Sequence, residues 1–249
     1  LLEDVDYNGC PMKAGERILM NFPGANRDPH VFEDPDRVII DRKLNRHVAF
    51  GAGIHRCAGS NLARMELRVS LDVFLELIAQ APQRLVASTE PAALAAHVAD
   101  AQLSLPLLAD ERGPLVDVGS GAGFPGVPLL LARPDLDGVL LDSRAKRCAH
   151  LEQVVAATGL AARVRVLHLR AEEHAAASGR DAHGIAVARA LAPPPVALEL
   201  CLPLVRPGGV CVLHAGAVDP AELEPAATAL AAAVERIEPV PGFAARTRV

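Results

Sequence analysis

Tryptophan is absent from this sequence, tyrosine occurs once and phenylalanine six times. A core must therefore be built from aliphatic side chains, and these are plentiful: 51% of the 249 residues are hydrophobic. Lysine is confined to Lys13, Lys43 and Lys146. With a formal net charge of −5, the chain lacks the overall basic character of a nucleic-acid coat, so any RNA contact needs a local basic face. Cys10, Cys57, Cys148, Cys201 and Cys211 are widely spaced and form no Cys-x-x-Cys pair. That pattern argues against a disulfide framework or a zinc site and for a reducing, cytoplasmic setting. No apolar run reaches the roughly 18 residues that cross a bilayer, and no secretory leader is recognisable. The sequence begins at Leu1 rather than methionine, and so reads as a piece of a longer chain.

What is present is organised around Leu115-Val116-Asp117-Val118-Gly119-Ser120-Gly121-Ala122-Gly123-Phe124-Pro125-Gly126. An apolar strand runs into a turn rich in glycine, and a helix follows. Gly121, Gly123 and Gly126 fit G-x-G-x-x-G, and Gly119 adds one more. Without Cβ atoms such a turn lets the backbone approach a ligand closely. Asp142 closes the next apolar run, where a carboxylate meets the ribose of an adenosine-bearing ligand. By spacing alone the turn fits a nicotinamide cofactor, S-adenosylmethionine, or a tight βα connection that binds nothing.

Beyond it, strands alternate with helices. Strands are expected at Leu115–Val118, Gly138–Leu141, Val164–Leu169, Gly184–Ala188 and Val210–Leu213. Helices are expected from Pro125 to Ala132, from a Ser143 cap to about Thr158, around Pro195–Leu202, and from Pro220 to about Ile237. This is the pattern of an α/β fold, a doubly wound, mostly parallel Rossmann-like sheet. In such sheets ligands bind outside the carboxyl ends of the strands. The glycine turn, Asp142, Ala171-Glu172 and Arg189 all follow strand ends and share that rim. Asp117 before the glycines, the Arg206-Pro207-Gly208-Gly209 turn and the lack of a second mononucleotide half favour S-adenosylmethionine.

Residues 1–84 read as a separate, small, loop-rich segment ending in one amphipathic helix. Asp6-Tyr7-Asn8-Gly9 is a turn, Arg17–Phe22 a strand, and Ala25–Asp36 loop. The helix runs from Ser60, its N-cap, to about Ala79. Another helix begins at Pro91, capped by Ser88 or Thr89. Cys57, in a glycine-rich loop just before a helix, is placed where a thiolate is stabilised. That environment suits a ligand to haem iron, or equally a small buried apolar residue.

Phe50-x-x-Gly53-x-x-x-Cys57-x-Gly59 resembles the haem-binding signature of the cytochrome P-450 family. The resemblance implies Cys57 as axial thiolate and His55 as a haem-propionate contact, with Arg56 a weaker candidate. It also places the oxygen-activating helix and the Glu-x-x-Arg motif before Leu1, so residues 1–84 are expected to be a truncated segment of that fold.

Asp117–Gly126, Leu141-Asp142-Ser143, Lys146-Arg147, Arg170-Ala171-Glu172-Glu173 and Arg189-Ala190 resemble the RsmG (GidB) family, over residues from about 90 to the end. Those enzymes methylate N7 of one guanosine in 16S ribosomal RNA with S-adenosylmethionine. The resemblance implies donor contacts from Gly119, Gly121, Gly123, Phe124, Ala171, Glu172 and Arg189, with Asp142 on the ribose. It sets His97 and Asp100 at a His-x-x-Asp pair. Leu213-His214-Ala215-Gly216 departs from the family's Leu/Trp-Lys-Gly, putting a histidine where a rim lysine is expected. Candidate RNA contacts are Arg144, Lys146 and Arg147, then Arg163, Arg165 and Arg170. No catalytic base is required, because guanine N7 carries a lone pair at neutral pH.

The expectation is a chain of two parts: a P-450-like segment, 1–84, and a methyltransferase domain, 85–249, lacking its last strand. Its partner is small-subunit ribosomal RNA, with neither DNA nor membrane, in the cytoplasm. A haem-thiolate monooxygenase fragment with haem as cofactor, or an inactive chimera, are the alternatives.

Overall fold

The computed structural model describes residues 1–36, 42–216, 218–235, 237–239 and 246–248. It divides into two compact units, Leu1–Ala63 and Arg64–Val249. The division falls inside a helix.

In the first unit, β1 (Val5–Tyr7) and β2 (Cys10–Met12) form an antiparallel hairpin. Its turn is closed by the Gly9 amide donating to Asp6 Oδ1 at 2.8 Å, with Asn8 and Gly9 at φ 51° and 84°. The strand expected over Arg17–Phe22 does not form. A one-turn helix, α1 (Phe22–Ala25), lies there instead, capped by Asn21, whose side chain accepts from the Gly24 amide. Among its described residues only Phe32 and Ser60 are buried.

Helix α2 (Ser60–Gln80) spans the division. In the second unit come α3 (Pro91–Gln102), β3 (Leu115–Val118), α4 (Gly126–Ala132), β4 (Gly138–Asp142), α5 (Ala145–Ala157), β5 (Val164–His168) and α6 (Ala171–His174). Then follow β6 (His183–Arg189), α7 (Pro194–Cys201), β7 (Val205–Gly216), α8 (Pro220–Ala229), β8 (Glu238–Pro239) and β9 (Arg246–Arg248). The sheet order is β5-β4-β3-β6-β7-β9-β8. Its first five strands are parallel, and β8 and β9 are antiparallel additions.

Side-chain alternation along the strands builds a core on each face. Leu115, Leu140, Ile185 and Val187 face one cluster with Phe74 and Ile78 of α2, Leu94 of α3, and Leu151 and Val154 of α5. Val116, Val118, Val139, Leu141 and Ala186 face the other, with Leu198 of α7 and Leu223 of α8. Strand order reverses beside β3, which opens the crevice that parallel sheets use for ligands.

Several boundaries moved. Helix α8 ends at Ala229, well before Ile237, where the Leu230 amide turns back to Ala226 and Ala227 carbonyls. The turn expected before the fifth strand is absorbed into a longer β7, with Gly208 at φ 77° and a register shift opposite His183/Ile185. At the end of the described chain, β9 pairs with β7 through His214, Ala215 and Gly216; Val249 lies outside the described residues. Neither Ser88 nor Thr89 caps α3, whose N-cap is Glu90. Among the described residues, no helix is long and apolar enough to cross a membrane.

Candidate functional site

The turn after β3 is held by the backbone of two strands, β3 and β4. The Gly119 and Ser120 amides donate to the Leu141 carbonyl at 2.8 and 3.0 Å, and the Ser120 hydroxyl donates to the Asp117 carbonyl at 2.8 Å. Gly119 and Gly121 have φ of 72° and 58°, the left-handed region that glycine adopts without penalty. Both are half-buried and sit at the rim. A Cβ on Gly119 would lie 2.7 Å from Leu191 Cδ1, so backbone and the residue after β6 close upon one another there.

Asp142 accepts two backbone hydrogen bonds. Its Oδ2 accepts from the Gly121 amide at 2.9 Å, and its Oδ1 from the Arg144 amide at 2.9 Å. Arg147 Nη1 stands 3.5 Å from Oδ2. The carboxylate thus ties the glycine turn to Arg144, the N-cap of α5 in place of the expected Ser143; Oδ1 keeps a lone pair for a further donor.

Gly123 and Phe124, expected at the ligand, face inward. A Cβ on Gly123 would meet Val127 Cγ2 at 2.9 Å and Phe74 Cε2 at 3.0 Å. The Phe124 ring is 3% exposed and lies 4.9 Å, edge to face, from Phe74. Ala171 is buried at the start of α6, and the neighbouring Glu172 is exposed and paired with Arg170 at 3.6 Å.

Arg189, at the end of β6, is the centre of a second cluster. Its guanidinium lies over the Phe124 ring, 4.8 Å from the centroid. Nη1 is 3.1 Å from His97 Nδ1 and 3.6 Å from Asp100 Oδ2. Asp100 Oδ2 is 3.7 Å from His214 Nδ1, and His214 Nε2 is 2.8 Å from the Ser104 hydroxyl. The His97/Asp100 pair, Arg189 and His214 each carry a signal in the sequence; Ser104, an unremarkable residue after α3, carries none. Serine, histidine and aspartate in this order resemble a hydrolase triad, but Ser104 is fully buried, so no substrate reaches its hydroxyl. His97, Asp100, Arg189 and His214 line a cavity of about 420 Å³ at the ends of β6 and β7, walled by Leu191 and Ala197.

Asp117 is fully buried, and burial pushes its carboxyl up to about 7. The Gly126 amide, which donates to Oδ2 at 3.0 Å, the Ser120 hydroxyl and the Arg189 charge all oppose that rise. The unfolded value is 3.8. Between the two, the folded chain keeps a proton that the unfolded chain has lost, so this group's contribution to stability falls as pH rises, by about 1.4 kcal/mol per unit. His183, pushed down to about 4 chiefly by burial, acts in the opposite sense up to its ordinary value. Asp117→Asn should therefore gain on the parent in unfolding free energy from pH 4 to pH 7, His183 cancelling in the difference. A difference that does not change with pH refutes the assignment.

Among the basic residues, Arg144 and Lys146 are exposed and Arg147 half-buried, all at the start of α5 beside the turn. Arg163 is not available to RNA as expected: its guanidinium is taken by the Leu130, Arg133 and Leu136 carbonyls. Arg165 and Arg170 are exposed.

In the first unit, the Cys57 amide donates to the Phe50 carbonyl at 2.7 Å, so the loop keeps a closed turn. Cys57 and His55 are both exposed. With Phe32 and Ser60 its only buried described residues, this unit does not enclose a haem, and the residues present do not fit one as a buried, shielded group.

The family model for rRNA small subunit methyltransferase G (GidB) matches residues 69–248, and that for cytochrome P450 matches residues 1–85. The ribosomal RNA small subunit methyltransferase G of Frankia alni is 47% identical over 106 residues, 43% of this chain and 40% of that protein. Its counterpart from Acetivibrio thermocellus is 40% identical over 121 residues, 48% of this chain and 50% of that protein. Cytochrome P450 105C1 from a Streptomyces species is 51% identical over 75 residues, 30% of this chain and 20% of that protein. The chain thus spans no more than half the length of these relatives. A crystal structure of a Corynebacterium glutamicum protein shares the fold, with a TM-score of 0.50 and 18% identity over 72% of this chain and 88% of that one.

Proposed function

The chain belongs to the rRNA small subunit methyltransferase G family through residues 69–248, and from that premise we propose that it methylates N7 of a guanosine in 16S ribosomal RNA. The observation that carries the reading is the turn with left-handed Gly119 and Gly121, open at Gly121, whose amide is tied to Asp142. S-adenosylmethionine, when bound, supplies an electrophilic methyl group on a sulfonium. Gly121, where a Cβ would find its nearest protein atoms at 3.7 Å, leaves room for the donor, and Asp142 presents a free Oδ1 lone pair to the ribose. Ala171 and Glu172 flank the same rim.

The acceptor base belongs in the cavity beside Arg189. Guanine N7 needs no general base, so the work of the site is to orient the base and exclude water. Arg189, held between Asp100 and Phe124, is aimed by contacts on two sides. Arg144, Lys146 and Arg147 at the start of α5 hold RNA phosphates. The partner is small-subunit rRNA, not DNA or a membrane, and the setting is the cytoplasm.

Calorimetric titration with S-adenosylhomocysteine should show one site. Incubation with methyl-labelled donor and 16S rRNA should introduce label at a base where borohydride and aniline cut the strand, the signature of N7-methylguanosine. A chain that binds no S-adenosylhomocysteine sinks the proposal.

The match of residues 1–85 to cytochrome P450 raises a second reading, haem ligation by Cys57. The expected result of haem reconstitution is no thiolate-type Soret band in the carbon monoxide difference spectrum, because the exposed loop offers one face only. A Soret band lost in Cys57→Ser would establish the second reading.

A further inference from the structure

Both family models claim the middle of α2: the cytochrome P450 match runs to residue 85, and the methyltransferase match starts at residue 69. From Arg64 onward this helix belongs to the second unit. Its Phe74 is fully buried in the core cluster beneath the sheet. The ring touches two consecutive residues of the glycine turn. It meets Phe124 edge to face at 4.9 Å, and it stands where a Gly123 Cβ would be only 3.0 Å away. On its other side Phe124 carries the Arg189 guanidinium at 4.8 Å and the His97 ring at 5.3 Å.

We propose that Phe74 is a positioning residue of the methyl-donor site, acting through Gly123 and Phe124 on the turn and on Arg189. The inference rests on reading that turn as the donor cradle. It means that a helix shared with a haem-protein sequence has become a working part of the methyltransferase. Two features distinguish this contact from ordinary core packing. An edge-to-face aromatic pair is directional, so it fixes the ring of Phe124 and not merely the space around it. Gly123, at φ 101°, has no side chain of its own to fix the turn from within, so the ring of Phe74 supplies the missing wall. A leucine at 74 fills much of the volume but loses the aromatic geometry.

The test uses the full chain with Phe74→Leu, and Leu160→Ala as a control. Leu160 is 2% exposed in the same cluster but precedes β5, at the sheet end opposite the rim. Melting temperature, S-adenosylhomocysteine affinity and the amide NMR shifts of Gly121 and Gly123 are read for each. Phe74→Leu is expected to weaken binding about tenfold and to move both glycine amides. Leu160→Ala, with an equal or larger fall in Tm, should leave affinity within about twofold and the amides in place. Binding that weakens in proportion to Tm in both variants, or unmoved amides in Phe74→Leu, overturns the inference. If the unmutated chain binds no S-adenosylhomocysteine, the donor reading fails by itself. The amide shifts then decide Phe74 alone: movement confined to Phe74→Leu upholds its hold on the turn, and no movement overturns it.

Discussion

Gly121→Val should abolish S-adenosylhomocysteine binding, with an affinity loss of at least about 100-fold, while the chain still unfolds cooperatively. Gly121 has φ 58°, and an L-residue held there costs about 1–2 kcal/mol, more when it is β-branched. That strain alone does not unfold a domain. Within the protein, the atoms nearest a Cβ at 121 would be Arg147 Nη1 and the Gly119 carbonyl at 3.7 Å and Arg147 Cζ at 3.9 Å, ordinary contact distances. The added methyls therefore project into the rim, where the proposed donor would lie. Gly121→Ala separates the two effects: it carries the strain with less occlusion, and should bind about tenfold more weakly than the parent. Gly126→Ala provides the contrast. Its Cβ would be 2.5 Å from the buried Asp117 Oδ2, so its main effect should be a lower Tm. Calorimetry and thermal melting on the three variants check the set. A Gly121→Val chain that binds within about threefold of the parent would remove the turn from the site.

Removal of residues 1–85 should leave a methyltransferase sheet that does not fold stably, whereas removal of residues 1–63 should leave one that folds and binds. Phe74 and Ile78, 0% and 2% exposed, lie in the larger half of the core, with Leu75, Leu77, Leu85 and Val86 packed at its edge. Losing two buried side chains of that size costs about 5–10 kcal/mol, comparable with the about 5–15 kcal/mol that holds a domain together. The unit that begins at Arg64 keeps all of these contacts. Circular dichroism melting and S-adenosylhomocysteine titration of the two shortened chains decide the matter. A cooperative melt for residues 86–249 would show that α2 is dispensable.

The central strands and the glycine turn were legible because their causes are local. Leu115–Val118 is a strand in the sequence and in the fold, since an apolar run ended by glycine leaves little choice. Gly119, Gly121 and Gly123 adopt positive φ, as residues without Cβ can. The ends of elements were less legible. Nothing in Ala229-Leu230-Ala231-Ala232 marks a helix end, because alanine neither caps nor breaks one, and α8 stops there nonetheless. The outer strands were hardest: β9 is three residues long, too short for periodicity to register.

By itself, the sequence determined the alternation of strand and helix, the glycine-rich turn and the identity of both family segments. These depend on side-chain period and backbone chirality over a few neighbouring residues. Only the tertiary structure decided which partners those residues keep. It gave Asp142 to the Gly121 and Arg144 amides, and it withdrew Arg163 into a set of carbonyls. It brought Ser104 to His214 across 110 positions. It also turned Gly123 and Phe124, the heart of the opening motif, away from the rim and onto Phe74 of α2. An amphipathic helix announces that one face will be buried, but what it is buried against is fixed only when distant segments compete for the same surface.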